Sequence, residues 1–302
     1  MSFAGDTKAE ICRLKIERCC CAIAESCGVL MYGNMFSPER IKISTANDTF
    51  SARLPKLFKK AFNIEFDIQP GTGKEGRRSF IIQDPEKISM ICNTFGTDMR
   101  SNFALHVNFA LLEEECCKTA FIRGAFLSGG SVTDPEKGYH LELSTNHMSV
   151  ARETCSIMHE LGFHPGESSR TGNTLLYFKQ SDIIADFLTA IGAPVTAMNV
   201  LTAKVDKEMR NKVTRQINCD SANVDKTISA AQEQIDAIRR FSAKYGIDAF
   251  PEALKEAALL RITNPESSLA DLARLSIPSV SKSCLSYRLK KIVAMAPEEE
   301  EK

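Results

Sequence analysis

The sequence predicts an α+β chain, with an N-terminal pseudo-twofold domain of two αβαββα repeats followed by an all-α domain. Three observations carry that expectation. Two stretches of the first two hundred residues run through the same order of helical and strand periodicities, and beyond about residue 220 the apolar spacing is helical throughout. The length, 302 residues, suits about two domains at roughly 100 to 200 residues each. A content of 43% hydrophobic and 25% charged residues with a formal net charge of +0 is that of an ordinary globular protein and excludes disordered and collagen-like classes. No apolar run approaches the roughly 18 residues of a membrane span, and the start MSFAGDTKAEICRLK lacks the apolar stretch of a secretion signal. A cytoplasmic location without membrane partners is the expectation.

The repeat is justified element by element. A small-residue helix at 19–29 (CCCAIAESCGV), ending near Gly28, is matched by one at 119–132 (TAFIRGAFLSGGSV), ending near Gly130. Each is followed by a segment alternating with the period of a strand, RIKIS at 40–44 and YHLELS at 139–144. Next comes a helix in each half, with Phe50, Leu54, Leu57 and Ala61 at the same offsets as Val150, Thr154, Ile157 and Leu161, which define one helical face. The parallel continues through a β-hairpin into a closing helix, so that 79–96 lies against 175–192, each ending in Gly. Asp84 before Pro85, and Ser181 before Asp182, offer side-chain acceptors at the start of those closing helices. The halves are about 1–96 and 116–192, within a domain of residues 1–200.

Eleven cysteines are expected to be thiols, because the reducing cytosol disfavours a disulfide framework and the count is odd. The adjacent runs Cys19, Cys20, Cys21 and Cys116, Cys117 contain no CxxC pair and have no histidine at ligand spacing. No metal site and no cofactor are therefore expected, and the cysteines read as small apolar side chains where two helices approach closely.

The two small-residue helices resemble degenerate LAGLIDADG helices of homing endonucleases, which pack side by side while flanking sheets saddle the DNA. In that family the residue before the motif's last glycine is a carboxylate that holds a catalytic divalent metal, as hard oxygen ligands should. With Gly28 and Gly130 taken as those glycines, the positions are Cys27 and Gly129, which cannot coordinate magnesium, and Glu25 lies where a helix points it elsewhere. The resemblance thus implies a LAGLIDADG-like fold with no catalytic residues.

Residues 201–220 form a basic linker or helix, with Lys204, Lys207, Arg210, Lys212 and Arg215 against Asp206 and Glu208; it reads either as a solvated face or as a phosphate contact. An amphipathic helix follows from about Asp225 to Tyr245, marked by Ile228, Ala231, Ile235, Ile238 and Phe241 and stopped at Gly246. Pro251 opens a further helix, and Pro265 lies beyond its end. Ser268 and Asp271 then make a capping-box-like start for SLADLARL, and after a break at 276–278 the segment SVSKSCLSYRLKKIVAMA forms the last helix. Leu285, Leu289, Ile292 and Ala296 mark its buried stripe. Lys282, Ser283, Ser286, Tyr287, Arg288, Lys290 and Lys291 form the candidate DNA-binding set, with no acid between Val280 and Ala296. Two short helices, a tight connection and a polar, basic final helix match a helix-turn-helix, here spanning 221–296, whose second helix enters the major groove of double-stranded DNA. The bland alternative is a surface helix that happens to be basic. Acidic residues in the tail at 297–302 help bring the total charge to zero while the local field near the last helix stays positive.

Nearly the whole chain resembles the WhiA family of bacterial DNA-binding regulators, which join a degenerate LAGLIDADG domain to a C-terminal helix-turn-helix. The most specific stretches are AFIRGAFLSGGSV at 120–132 with Asp134, Pro135 and YHLEL, then MRNKVTRQINCDSANVDKT at 209–227, and VSKSCLSYRL at 280–289. The family pattern has Asn-Arg at Thr214 and Arg215, Gly at Cys284 and His at Tyr287; the last two departures fall on the recognition helix and bear on DNA sequence preference. The resemblance implies a sequence-specific transcription regulator linked to sporulation, cell division or chromosome segregation, associated with the nucleoid.

The loop PGTGKEGRRS at 70–79 is glycine-rich but lacks the order of a P-loop and is expected to join two strands, with Lys74, Arg77 and Arg78 as candidate phosphate contacts. Asn218, Asp220, Asn223 and Lys226 read as turn and capping residues or, with Lys226 foremost, as a phosphate contact. His140 and His147 lack the partners of a metal site or triad. Three function classes follow: a non-catalytic DNA-binding regulator first; a scaffold that binds a regulatory protein or ligand and is tethered to DNA second; a metal-dependent nuclease third. Glu142 on the saddle face would repel phosphate and favours the second over DNA contact by that face. The sequence leaves the oligomeric state open, a monomer included.

Overall fold

Small side chains, strand-period segments and closing helices assemble as two units, Met1–Lys207 and Glu208–Lys302. The structure, a computed structural model, describes residues 2–71, 76–97 and 104–297. Lys74 and the acidic tail from Glu298 onward lie outside the described residues.

In the first unit α1 (Phe3–Ile11) precedes α2 (Cys19–Met31), β1 (Met35–Phe36), β2 (Ile41–Thr45), α3 (Asp48–Phe62), β3 (Arg78–Ile82) and α4 (Pro85–Phe95). The second repeat runs α5 (Glu115–Gly129), β4 (Gly130–Val132), β5 (Leu141–Thr145), α6 (Met148–Glu160), β6 (Gly166–Arg170), β7 (Asn173–Phe178) and α7 (Ser181–Ile191). Each repeat forms its own antiparallel sheet, ordered β1-β2-β3 in the first and β4-β5-β7-β6 in the second. The inward residues of β2 and β5, Ile41, Ile43, Leu141 and Leu143, are buried, whereas Lys42, Ser44, Glu142 and Ser144 are half-buried on the other face, as alternation requires.

The expected hairpin is present in the second repeat, where β6 pairs with β7. In the first repeat its described counterpart is a single bridge between Ile68 and Ile81. Asp84 caps α4, its Oδ1 accepting from the Glu86 amide at 2.9 Å. Ser181 does not play the matching part: it is the buried first residue of α7, and the cap position falls on Gln180 without a side-chain hydrogen bond.

The centre of this unit is the contact of α2 with α5. A Cβ on Gly28 would lie 2.0 Å from the Phe121 carbonyl oxygen, and one on Gly124 would lie 2.0 Å from the Glu25 carbonyl oxygen. Only glycine permits that backbone approach. The two contacts are mirror partners, so the pseudo-twofold axis relates Gly28 to Gly124 rather than to Gly130. The strand registers agree: Met35 opposes Lys42 as Ser131 opposes Glu142. The repeat alignment anchored on Gly28 and Gly130 is therefore shifted. The second helix also begins earlier than expected and stops at Gly129, because residues 130–132 turn into β4.

Of the two readings of the basic stretch 201–220, linker or helix, the structure has the helix. It forms part of α8, Pro194–Tyr245, which also contains the amphipathic helix expected from about Asp225. Residues 201–220 are helical throughout, and Asn218, Asp220 and Asn223 sit within the helix instead of forming a turn. The physical reason is the absence of any Gly or Pro between Pro194 and Gly246; Asn, Asp and Ser cost only about 0.5 kcal/mol each in a helix, too little to stop one flanked by strong helix formers. Gly246, at φ 81°, ends it as expected.

The second unit contains the C-terminal part of α8, then α9 (Glu252–Thr263), α10 (Leu269–Leu275) and α11 (Lys282–Met295). Its core joins Ile238 and Phe241 of α8 to Phe250, Leu254, Ala257 and Ala258, Leu272 and Ala273, and Leu285, Leu289 and Ile292. Arg261 is also buried, its guanidinium donating to Gln234 Oε1 at 2.9 Å and to the Ser267 carbonyl at 2.8 Å.

Candidate nucleic-acid interface

Local sequence chemistry sets the last two helices. Ser268 caps α10, accepting from the Asp271 amide at 3.3 Å while its hydroxyl donates to Asp271 Oδ2 at 2.7 Å, a variant of the capping-box-like start read from the sequence. Ser281 caps α11 by accepting from the Cys284 amide at 3.2 Å. Between them Ser276 organises the turn: its buried hydroxyl accepts from the Val280 amide at 3.1 Å and donates to the Ala273 carbonyl at 3.0 Å.

The exposed face of α11 carries most of the expected set. Lys282, Ser283, Tyr287, Lys290 and Lys291 are exposed, Tyr287 at 68%. Ser286 is half-buried at the edge of that face, while Leu285, Leu289 and Ile292 hold the opposite stripe and Ala296 is the half-buried cap residue after the helix. Arg288 departs from the set. It lies beside the buried stripe, and its guanidinium meets Glu256 Oε2 at 3.2 Å. The other oxygen of Glu256 accepts from the Ile277 amide at 3.0 Å. Glu256 thus ties α9 both to the turn and to α11, a positioning role that sequence reading missed; the signal was an acid on α9 with no partner on its own helix face.

The basic stretch of α8 divides. Lys204 binds the Asp182 carboxylate at 2.8 Å, and Lys207 donates to the Pro135 carbonyl with its ammonium 5.0 Å from the Tyr139 ring centre. Both are engaged inside the first unit. Lys212, Arg215 and Lys226 are exposed along the helix, as is Arg210. Of the loop residues, Arg77 is exposed and Arg78 pairs with Asp48 at 2.5 Å.

In the first unit the pseudo-twofold geometry moves the candidate metal positions. Gly129 stands five residues after Gly124 and Gly33 five after Gly28, so Gly33, not Cys27, is the counterpart of Gly129. Cys27 is instead buried, and burial holds its thiol up at about 12. Neither Gly33 nor Gly129 has a side chain to bind a cation. Glu25 is also engaged: its carboxylate receives Arg53 Nε at 2.6 Å and Nη2 at 2.9 Å, with Arg123 Nη1 at 3.7 Å, all largely buried. Arg53 is further fixed by the Leu14 carbonyl at 2.5 Å and Arg123 by the Ile191 carbonyl at 2.8 Å. On the outer sheet face His140 Nε2 lies 3.0 Å from Glu142 Oε2.

Comparison with known proteins covers both units. Residues 118–210 match the model of the WhiA LAGLIDADG-like domain and residues 213–296 that of the WhiA C-terminal HTH domain. The chain is 34% identical over 304 residues to a protein of Ruminiclostridium cellulolyticum named probable cell division protein WhiA, covering 98% of this chain and 97% of that one. It is likewise 34% identical to a protein of that name from Heliobacterium modesticaldum, over 98% and 96% of the two chains. The crystal structure of full-length WhiA from Thermotoga maritima superposes with a TM-score of 0.61 at 23% identity, over 98% of both chains; at that identity the likeness concerns the fold. No helix among the described residues is long and apolar enough to cross a membrane.

Proposed function

The chain belongs to the WhiA family, and on that premise we propose that it is a sequence-specific, double-stranded-DNA-binding regulator of cell division that acts in the cytoplasm at the nucleoid, without catalysis. The observation that carries the reading is the α11 face, where Lys282, Ser283, Tyr287, Lys290 and Lys291 are exposed together and Leu285, Leu289 and Ile292 anchor the helix from behind. A helix so held presents lysines to phosphates, which set affinity, and hydroxyl groups to base edges, which set sequence preference. Arg288 supports the helix from its pair with Glu256. Lys212, Arg215 and Lys226 add phosphate contacts along α8, whereas Lys204 and Lys207 are held within the first unit.

The test is selection of duplexes from a random-sequence pool by the full-length protein. Enrichment of one motif by the native chain, with a changed motif for Ser283→Ala or Tyr287→Ala, is the expected result. Equal losses on enriched and random duplexes would remove those two side chains from base reading.

The absence of nuclease activity rests on the donor set. Gly33 and Gly129 offer no side-chain carboxylate, and Glu25 is closed off by two arginines. Incubation of purified protein with supercoiled DNA and magnesium or manganese should leave the DNA intact. Metal-dependent nicking that vanishes on Glu142→Ala would reverse this conclusion. A regulatory protein as partner of the first unit is favoured by the outer face of β5, where Glu142 beside His140 suits a polar protein surface better than a phosphate backbone.

A further inference from the structure

The shifted axis that relates Gly28 to Gly124 relates another pair of motifs. Cys20 and Cys21 precede Gly28 by the same spacing at which Cys116 and Cys117 precede Gly124. Both pairs occupy the first turns of their helices, α2 beginning at Cys19 and α5 at Glu115. Because the two helices cross closely at their glycines, the two Cys-Cys pairs, distant in sequence, converge at one end of the helix pair.

Three of the four sulfurs are close enough to share one ligand, and the fourth adjoins them. The Sγ atoms of Cys20, Cys21 and Cys117 lie within 4.8 Å of one another, and Cys116 Sγ is 4.0 Å from Cys117 Sγ. A tetrahedral cation with metal–sulfur bonds of about 2.3 Å needs sulfurs about 3.8 Å apart; Cys20, Cys21 and Cys117 are within about 1 Å of that spacing, and Cys116 completes the site by a rotamer change from its place beside Cys117. Arg18 Nη1 stands 3.7 Å from Cys116 Sγ. Neither α2 nor α5 has a side-chain cap at its N-terminus, and all four cysteines lie in those first turns, where the helix dipole favours negative charge.

We infer that Cys20, Cys21, Cys116 and Cys117 form a tetrathiolate site for one thiophilic divalent cation of the zinc class, clasping the two repeats at the end of their central helix pair. Binding replaces four thiol protons by one dication, leaving a net charge of −2 that Arg18 and the two helix ends offset. Without a cation the cluster is a set of thiols in conflict. Burial and hydrogen bonding with neighbouring sulfurs push the Cys21 thiol up to about 11 and that of Cys117 higher, while hydrogen bonds from Cys21, Cys117 and Arg18 favour the thiolate at Cys116. The expectation that these cysteines serve only as small apolar side chains took each run by itself; a site assembled across a pseudo-twofold axis has no short-range spacing to read.

Cobalt(II) titration of the reduced full-length protein tests the site, because a tetrathiolate gives intense visible d–d bands and a near-ultraviolet sulfur-to-cobalt band. One equivalent per chain, displaced by zinc and confirmed by native mass spectrometry, is the expected result. Cys20→Ser, at an exposed position that leaves the core intact, and Cys116→Ser should each weaken binding more than about tenfold, and Arg18→Ala about tenfold; Cys219→Ser, on α8, should leave it unchanged. Absence of the cobalt bands in the folded native chain, or bands unaffected by both Cys20→Ser and Cys116→Ser, would overturn the inference. So would disulfide pairing of these four cysteines in protein isolated under reducing conditions.

Discussion

The α2–α5 helix pair and the α11 face use the same kinds of residue to opposite ends. At the helix pair, Glu25, Arg53 and Arg123 satisfy one another in the interior, and two glycines bring the backbones together. On α11 the apolar stripe and the Arg288–Glu256 pair anchor the helix, and Lys290 and Lys291 are exposed, with no ion pair among the described residues. Charge near a fold's centre is therefore not a sign of function here. What separates Arg53 from Lys290 is whether its counter-charge is already inside the protein, and Arg288, paired with Glu256, belongs with the former.

Substitutions in the two regions should separate along that line. The largest effect is expected from Glu25→Gln, which strands two buried guanidinium groups and should cost about 3 to 5 kcal/mol in denaturant unfolding of the full chain. Gly124→Ala should cost about 3 kcal/mol, because its Cβ meets the Glu25 carbonyl oxygen. Gly138→Ala, with nothing within 4 Å, is the control and should shift stability by under about 0.5 kcal/mol. An intermediate loss of about 1 kcal/mol is expected for Arg288→Ala, measured the same way, since its pair with Glu256 is partly solvated. Smallest of all, Lys290→Ala with Lys291→Ala should leave the unfolding midpoint within the error of the native chain; a loss as large as that of Gly124→Ala would place these lysines in the packing and erase the contrast.

How much of this was legible depended on the range over which each signal acts. Caps and breakers act within four residues, and Asp84, Ser268, Pro251 and Gly246 mark element ends where the sequence put them. The buried stripe of α11 follows from helical spacing for the same reason. Strands β1 and β4, at two and three residues, are too short to show a period of two. Choosing Gly28 and Gly130 as equivalents shifted the helix alignment because both are the last glycine of a small-residue run; the packing partner, Gly124, is set by the other helix and is invisible along one chain segment. The continuity of α8 was missed because Asn218, Asp220 and Asn223 favour turns one by one, yet nothing between Pro194 and Gly246 breaks a helix. The pairing of Arg288 with Glu256 was not legible because Glu256 lies on another helix.

The central claim, that DNA affinity comes from the exposed face of α11 while the buried charges of the first unit only hold the fold, is tested most directly by the salt dependence of binding. Each phosphate neutralised contributes about 0.9 to the slope of log binding constant against log salt. For the full-length protein carrying Lys290→Ala and Lys291→Ala, the slope measured on one duplex should flatten by about 1.8 relative to the native chain, with an unchanged unfolding midpoint. A slope equal to that of the native chain would contradict the account and move the phosphate contacts elsewhere on the molecule.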